Sequence, residues 1–356
     1  MKALLLPALL GCLALACGRE EPDWSTIPTT DPTETASVNT PSGTGGARPT
    51  LIQVKVGPIT DTHLHMWTLP RSQPPMSDGG KFPGSSPPWL AVNAMIPDYE
   101  RSQGGKWVDH AVVIESLDGV PAAKIIAANQ WMLEQVKTQP KLLSVVGSLD
   151  VLASPAPFKA NLDQLASDQH FVGIRISGSD LFSRGQLKAN ARANLGELAA
   201  RGMLVDVREA TGQQVTDLAQ AVPSLRIVLE HLAEKSSDFE VEPSWRANLE
   251  KASAQPNVYL KISDTGRWNS GSVADSWSTP FASEMDPAKY IAAFEVAWSL
   301  FGEDRLVFGS NWPVSNVAGD FSTQIDVLET FLAGKGAQAR NKVMNGNALI
   351  VYAPRP

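Results

Sequence analysis

The sequence predicts an α/β fold, a closed (β/α)8 TIM barrel set behind a signal peptide and a disordered linker. Three observations carry that expectation. Short β-branched runs alternate with helix-like stretches from residue 51 onward. Eight strand-then-helix units fill about 300 residues, which suits a closed parallel barrel better than an open sheet. Polar residues also stand at the C-terminal ends of these runs, where such a barrel keeps its chemistry.

The elements follow in order. Apolar runs of strand length predict strands at 58–63, 108–115, 143–149, 172–176, 203–207, 226–231, 258–262 and 305–309. Longer stretches between them predict helices at 89–103, 122–138, 158–167, 188–201, 212–221, 243–252 and 287–301. An eighth helix is expected at 322–333 and a terminal one at 337–351. Two of the connecting loops are long, 68–88 and 264–286. Loops of that length in a compact domain are lids, binding loops or disordered insertions. The second carries Trp268, Trp277 and Phe281. With Trp67 and Trp312, these aromatics either floor a substrate pocket or simply pack the loops.

Composition narrows the function. The chain of 356 residues is 43% hydrophobic and 19% charged, enough for one large core or two modest ones. Its net charge of −7, without a lysine or arginine cluster, argues against nucleic acid as a partner. Both cysteines, Cys12 and Cys17, lie at the N-terminus. The body therefore has no disulfide, no cysteine metal site and no cysteine nucleophile. Residues 1–17 read as an address: Lys2, an apolar run too short for a comfortable span, then Ala14-Leu15-Ala16-Cys17. This resembles a bacterial lipoprotein signal with lipidation at Cys17; Leu9-Leu10-Gly11-Cys12 is an earlier candidate with a shorter apolar run. Residues 18–50, rich in Thr, Pro, Ser and Gly, read as a flexible tether, and 51–356 as the barrel. The expected location is the bacterial cell envelope, periplasmic or extracellular, held to the membrane by a lipid anchor. Cytoplasmic residence is the alternative.

Asp61-Thr62-His63-Leu64-His65 is the stretch around which the chemistry is organised. Two of five histidines stand two residues apart, so on a strand they share a face. They form half of a metal or proton-handling site, or they are ordinary strand-end histidines bonded to neighbours. Pooling the polar strand ends adds Glu115, Asp150, Arg175, Asp206, Arg208, His231, Lys261 and Asn311. Convergence of these residues on one mouth would make an active site. His110 and His170 precede their strands and belong at the opposite end. Glu230, next to His231, is expected to face away from the barrel interior by strand alternation. No phosphate loop appears, and Ser310 lacks the following helix of a nucleophile elbow.

Together these motifs resemble the amidohydrolase superfamily, in its amidohydrolase-related branch of sugar-lactone hydrolases and metal-dependent decarboxylases. The first-strand motif Asp61-Thr62-His63-Leu64-His65-Met66-Trp67 carries the likeness, with Gly173-Ile174-Arg175, Leu229-Glu230-His231 and Leu260-Lys261-Ile262-Ser263. Phe308-Gly309-Ser310-Asn311-Trp312-Pro313 and Asn347-Ala348 complete an ordered set spanning residues 56–352. The resemblance implies a hydrolase that opens a lactone of a sugar acid or similar small carboxylated compound by water attack on a carbonyl. His63, His65 and His231 would hold one divalent metal, zinc or manganese, or act metal-free on the carbonyl. Arg175, Lys261, Trp67 and Glu115 would contact substrate; Lys261 could instead neutralise a buried carboxylate, and Arg175 could be an ordinary ion-pair former.

Asn311 departs from the family pattern, which has aspartate there as ligand and base. Its carboxamide cannot take a proton from water, and it is a weaker zinc ligand than a carboxylate. Three readings follow. Hydrolysis persists with another base, from Asp264, Glu115, Asp206 or a histidine. A metal on the histidines does the activation or supports decarboxylation instead. Or the barrel has lost chemistry and binds a small ligand. The retained histidines and Arg175 favour an enzyme. The oligomeric state is not legible.

Overall fold

The computed structural model describes residues 57–68, 93–102, 107–116, 122–235, 239–269, 284–318 and 321–356. The expected signal at 1–17 with Cys17, the linker 18–50, most of the 68–88 loop, Trp277 and Phe281 lie outside them. Among the described residues no helix is long and apolar enough to cross a membrane.

Eight parallel strands form one sheet in chain order: β1 Thr60–Leu64, β2 His110–Ile114, β3 Leu142–Gly147, β4 Phe171–Ser177, β5 Leu204–Arg208, β6 Arg226–Leu229, β7 Val258–Ile262 and β8 Leu306–Phe308. The last strand returns to the first. Asn311 N–H donates to His63 O at 2.9 Å and His65 N–H to Trp312 O at 2.8 Å, so the sheet closes into a barrel at its C-terminal rim. A bridge of one carboxylate reinforces this seam. Buried Asp61 accepts from Ser310 N (2.8 Å), Ser310 Oγ (2.5 Å), His63 N (3.0 Å) and Tyr99 Oη (2.8 Å). Burial raises its pKa, and these donors oppose the rise.

Helices ring the barrel between the strands: α1 Ile96–Arg101, α2 Ile125–Thr138, α3 Pro155–Ala166, α4 Ala189–Ala200, α5 Gly212–Ala221, α6 Pro243–Ser253, α7 Ala288–Phe301 and α8 Ser322–Ala333. Local chemistry sets their ends. Pro155 and Pro243 open α3 and α6, where a missing N–H costs nothing. Thr211 caps α5 in a reciprocal pair with Gln214, and Gly302 at φ 66° stops α7. The expected terminal helix is broken into Ala337–Asn341, a π turn Lys342–Gly346 and Asn347–Tyr352.

Alternation sorts the strand residues into two layers. One large cluster lies between strands and helices; Ala111, Val113 and Leu229 belong to it. A smaller one fills the lumen, with Val112, Ile114, Val228, Val307 and, from the last helix, Val351 and Tyr352 as the plug. The lumen is thus a packed core below the rim, and chemistry is confined to the rim.

Candidate active site

The histidines meet at that rim. His63 and His65 present their Nε2 atoms to each other at 3.1 Å, and the ring of His231 lies 4.7 Å from that of His63. His65 Nδ1 donates to Ile114 O at 3.1 Å, and His231 Nδ1 meets Ser263 Oγ at 2.8 Å. Gly309 makes the approach possible, since a Cβ there would stand 2.9 Å from His63 Cβ.

All three imidazoles are held neutral at ordinary pH. Burial, then Lys261 and His231, lower the pKa of His63 well below its usual value. Burial, then Arg175, bring His65 to about 3. Burial brings His231 to about 4 against the opposing charges of Asp264 and Glu230.

Glu230 is the principal correction to the sequence reading. It lies inside the site, fully buried, and grips Arg175 bidentately, with Nε and Nη2 at 2.9 and 2.8 Å from its Oε2. Its Oε1 stands 3.5 Å from His63 Nδ1. The reason is parity. Val228 faces the lumen, so Glu230 does too, and His231 reaches the site only because the chain leaves the strand there. His231, Leu232, Ala233 and Glu234 all take positive φ, one left-handed turn that returns the imidazole to the mouth. Burial alone would raise Glu230; Arg175, then Lys261 and His231, outweigh it and bring the carboxyl to about 2.

The turn also lifts Glu234 to the mouth, which sequence reasoning missed. Its carboxyl reaches solvent past the walls that crowd it. That crowding, then the charges of Glu230 and Asp264, push it up to about 7. Left-handed residues recur along this half of the rim: Glu209 after β5, Asp264 after β7 and Asn311 at φ 59° after β8. Such conformations cost energy in L-residues and cluster at functional sites.

The remaining expected site residues separate into groups. Glu115 joins the mouth, 3.5 Å from Arg175. Asn311 is 3% exposed beside His63. Lys261 does not reach the mouth. It is fully buried beneath His63, bonded to Asp206 Oδ2 (2.5 Å) and Thr62 O (2.9 Å), with Nζ 3.3 Å from His63 Nδ1. Asp206 also accepts from Tyr352 at 2.8 Å, so it is no base for water at the rim. Burial raises the pKa of Asp206 against the opposing charge of Lys261. Trp67 is fully buried and pairs through its backbone with Ala94. Trp268 packs on Tyr290 and Trp312 on Tyr99, so these rings serve the core. His110 opens β2 at the far end of the barrel, and His170 pairs with Asp168.

A cavity of about 230 Å³ opens at this rim; no histidine among the described residues lines it, and Arg175 and Glu115 connect it to the histidine cluster through Glu230. Arg175 and Glu115 form its inner wall; Ser148, Asp150, Asp180 and Arg208 are among the residues that complete it. That volume suits a ligand smaller than a drug-sized molecule.

A metal can be tested against these donors. Two nitrogens at about 2.1 Å from one zinc stand roughly 3–3.4 Å apart. The 3.1 Å between the His63 and His65 Nε2 atoms fits that spacing. His63, Glu230 and His231 also bring donor atoms within 4.8 Å of one another. Neutral imidazoles are the ligating form. The donor set therefore fits a divalent ion, held by His63 and His65 with His231 and Glu230 beside them.

The amidohydrolase family model matches residues 60–353. The chain belongs to the amidohydrolase family. An L-fucono-1,5-lactonase of Burkholderia ambifaria is 28% identical over 304 residues, covering 82% of this chain and 94% of that one. A crystal structure of a Burkholderia multivorans amidohydrolase with bound zinc superposes with a TM-score of 0.66 at 20% identity, over 84% of this chain and all of that one. The 5-carboxyvanillate decarboxylase of Sphingomonas paucimobilis shares the fold at a TM-score of 0.55 and 12% identity, covering 83% of this chain and 98% of that one.

Proposed function

We propose that this barrel hydrolyses a lactone of a small sugar acid, and that the ring it accepts is neutral and polyhydroxylated. The observation carrying this reading is the cluster of three neutral imidazoles at the rim, linked through Glu230 to Arg175, which lines a cavity of about 230 Å³. The lactonase relative supports the same reaction class.

The charge balance favours a neutral ring over the carboxylated substrate expected from sequence. Arg175 is committed to Glu230 and Lys261 to Asp206. The cavity wall adds Glu115, Asp150 and Asp180 against Arg208. A free carboxylate entering there would meet three acids, with Arg175 and Lys261 already paired to other carboxylates, whereas hydroxyl groups can bond to either kind of group.

The lactone carbonyl would lie against the His63–His65–His231 cluster, with the ring in the cavity. Asn311 donates to the carbonyl oxygen as charge develops there. Glu234, pushed up to about 7, takes the proton from the attacking water and returns it to the departing ring oxygen. Arg175 and Glu230 brace the wall. A divalent metal held by His63 and His65 would polarise the carbonyl and acidify water. Attachment to the cell envelope through Cys17 rests on the N-terminal sequence alone.

The test is a pH-indicator screen of residues 51–356 against neutral sugar-acid lactones and a carboxylated lactone. Turnover of a neutral lactone, with the carboxylated one at least ten-fold slower, is expected. Preference for the carboxylated ring refutes the substrate assignment, and no turnover of either refutes the reaction.

A further inference from the structure

We propose that Lys261 sets the tautomer of His63, and thereby whether His63 Nε2 donates a hydrogen to His65 or offers a lone pair to an ion. The inference concerns the site's own residues and holds whatever the substrate is.

Hydrogen placement leads there one bond at a time. Ile114 O only accepts, so His65 Nδ1 at 3.1 Å carries the hydrogen. His65 is neutral, so its Nε2 is a lone pair. The His63 Nε2 that faces it at 3.1 Å must then be N–H. That leaves His63 Nδ1 bare. Lys261 fills the vacancy: of its three ammonium hydrogens, Asp206 takes one at 2.5 Å and Thr62 O one at 2.9 Å. The third points to His63 Nδ1 at 3.3 Å. Every donor in the chain from Lys261 to Ile114 O has one acceptor.

The same nitrogen has a second neighbour. Glu230 Oε1 stands 3.5 Å from His63 Nδ1. Were the ring hydrogen on Nδ1, Glu230 would accept it and Nε2 would be free. This is the tautomer that His63 needs to share an ion with His65 through their Nε2 atoms. The move conserves protons, because the ring keeps one hydrogen and transfers it from Nε2 to Nδ1. Lys261 and Glu230 thus compete for one atom, the lysine favouring the proton-donating form and the glutamate the metal-ligating form. Second neighbours of this kind change metal affinity by roughly 10–100-fold.

Nitrogen-15 spectra of the histidine rings in the metal-free wild-type barrel read the tautomer directly, and five histidines keep assignment tractable. His63 is expected as Nε2–H, changing to Nδ1–H when zinc is added. Competition with a chromophoric chelator then measures zinc affinity. Lys261→Met, and Lys261→Met with Asp206→Asn to spare the orphaned carboxyl, should bind zinc about 10-fold more tightly or better. A metal-free wild-type spectrum showing His63 as Nδ1–H overturns the proposal. So does equal or weaker zinc affinity in a folded lysine variant. If neither variant folds, the wild-type spectrum decides alone.

Discussion

The two halves of the rim are built differently. Strands β1 to β4 deliver His63, His65, Glu115 and Arg175 from extended backbone, with no left-handed residue at their ends among the described residues. Strands β5 to β8 each run into positive φ, at Glu209, His231–Glu234, Asp264 and Asn311. The regular half offers a rigid histidine pair and most of the cavity wall. The strained half supplies the third histidine, the carboxyl poised near neutrality and the residue at the family's aspartate position. The contrast suggests that ordinary strand ends hold a site still, while left-handed turns place groups where strand geometry cannot.

The sharpest way to break this comparison is at Glu230, where the halves join. Glu230→Ala removes the carboxylate that grips the Arg175 guanidinium, which is only 10% exposed. The expected loss is about 3–5 kcal/mol of stability together with activity. Thermal melts and lactone assays check it. A variant as stable as the wild type would show that the clamp is not what joins the two walls.

Glu234 tests the strained half alone. The carboxylate must be ionised to accept a proton, so the rate should rise with pH through about 7. Glu234→Gln should lower kcat by roughly 10²- to 10⁴-fold and abolish that rise, with the melting temperature unchanged. An intact pH profile in the glutamine variant would assign the base elsewhere.

Acid should weaken the regular half more than the strained one. The folded pKa of His65 falls to about 3 and that of His231 to about 4, both from 6.5. A depressed histidine favours the fold fully above 6.5, and its contribution is lost as pH falls towards the folded value. Urea midpoints should therefore drop between pH 7 and pH 5, and less so in His65→Asn than in the wild type. Identical midpoints at both pH values would contradict the burial of neutral imidazoles.

The smallest effect lies in the backbone itself. Ala233 sits at φ 55°, so Ala233→Gly should be neutral or stabilising by about 1 kcal/mol. Glycine at Ser116, on the ordinary rim, should instead destabilise. A destabilised Ala233→Gly would mean that the turn is not strained.

The same contrast explains what the sequence made legible. The eight βα units and the His63–His65 pair follow from periodicity and alternation, which hold in regular strands. Alternation also governs Glu230, but the sequence reading anchored its parity on His231, the residue at which the strand has already ended. No local pattern announces four consecutive left-handed residues without a glycine, so Glu234 went unnoticed. The sequence left Lys261 between a buried carboxylate and a substrate anion, and the first holds: its partner Asp206 lies 55 residues away, and Tyr352 closes the lumen from the last helix. Charge pairing across a barrel is a property of the closed fold and leaves no spacing to read.

The measurement that bears most directly on the account compares wild type with Asn311→Asp on neutral sugar-acid lactones. Left-handed backbone accommodates asparagine and aspartate alike, so the substitution changes the chemistry and spares the turn. A working site whose base is Glu234 predicts turnover by the wild type and no gain from aspartate. Turnover confined to the aspartate form would contradict it, and would make the natural protein a binding barrel.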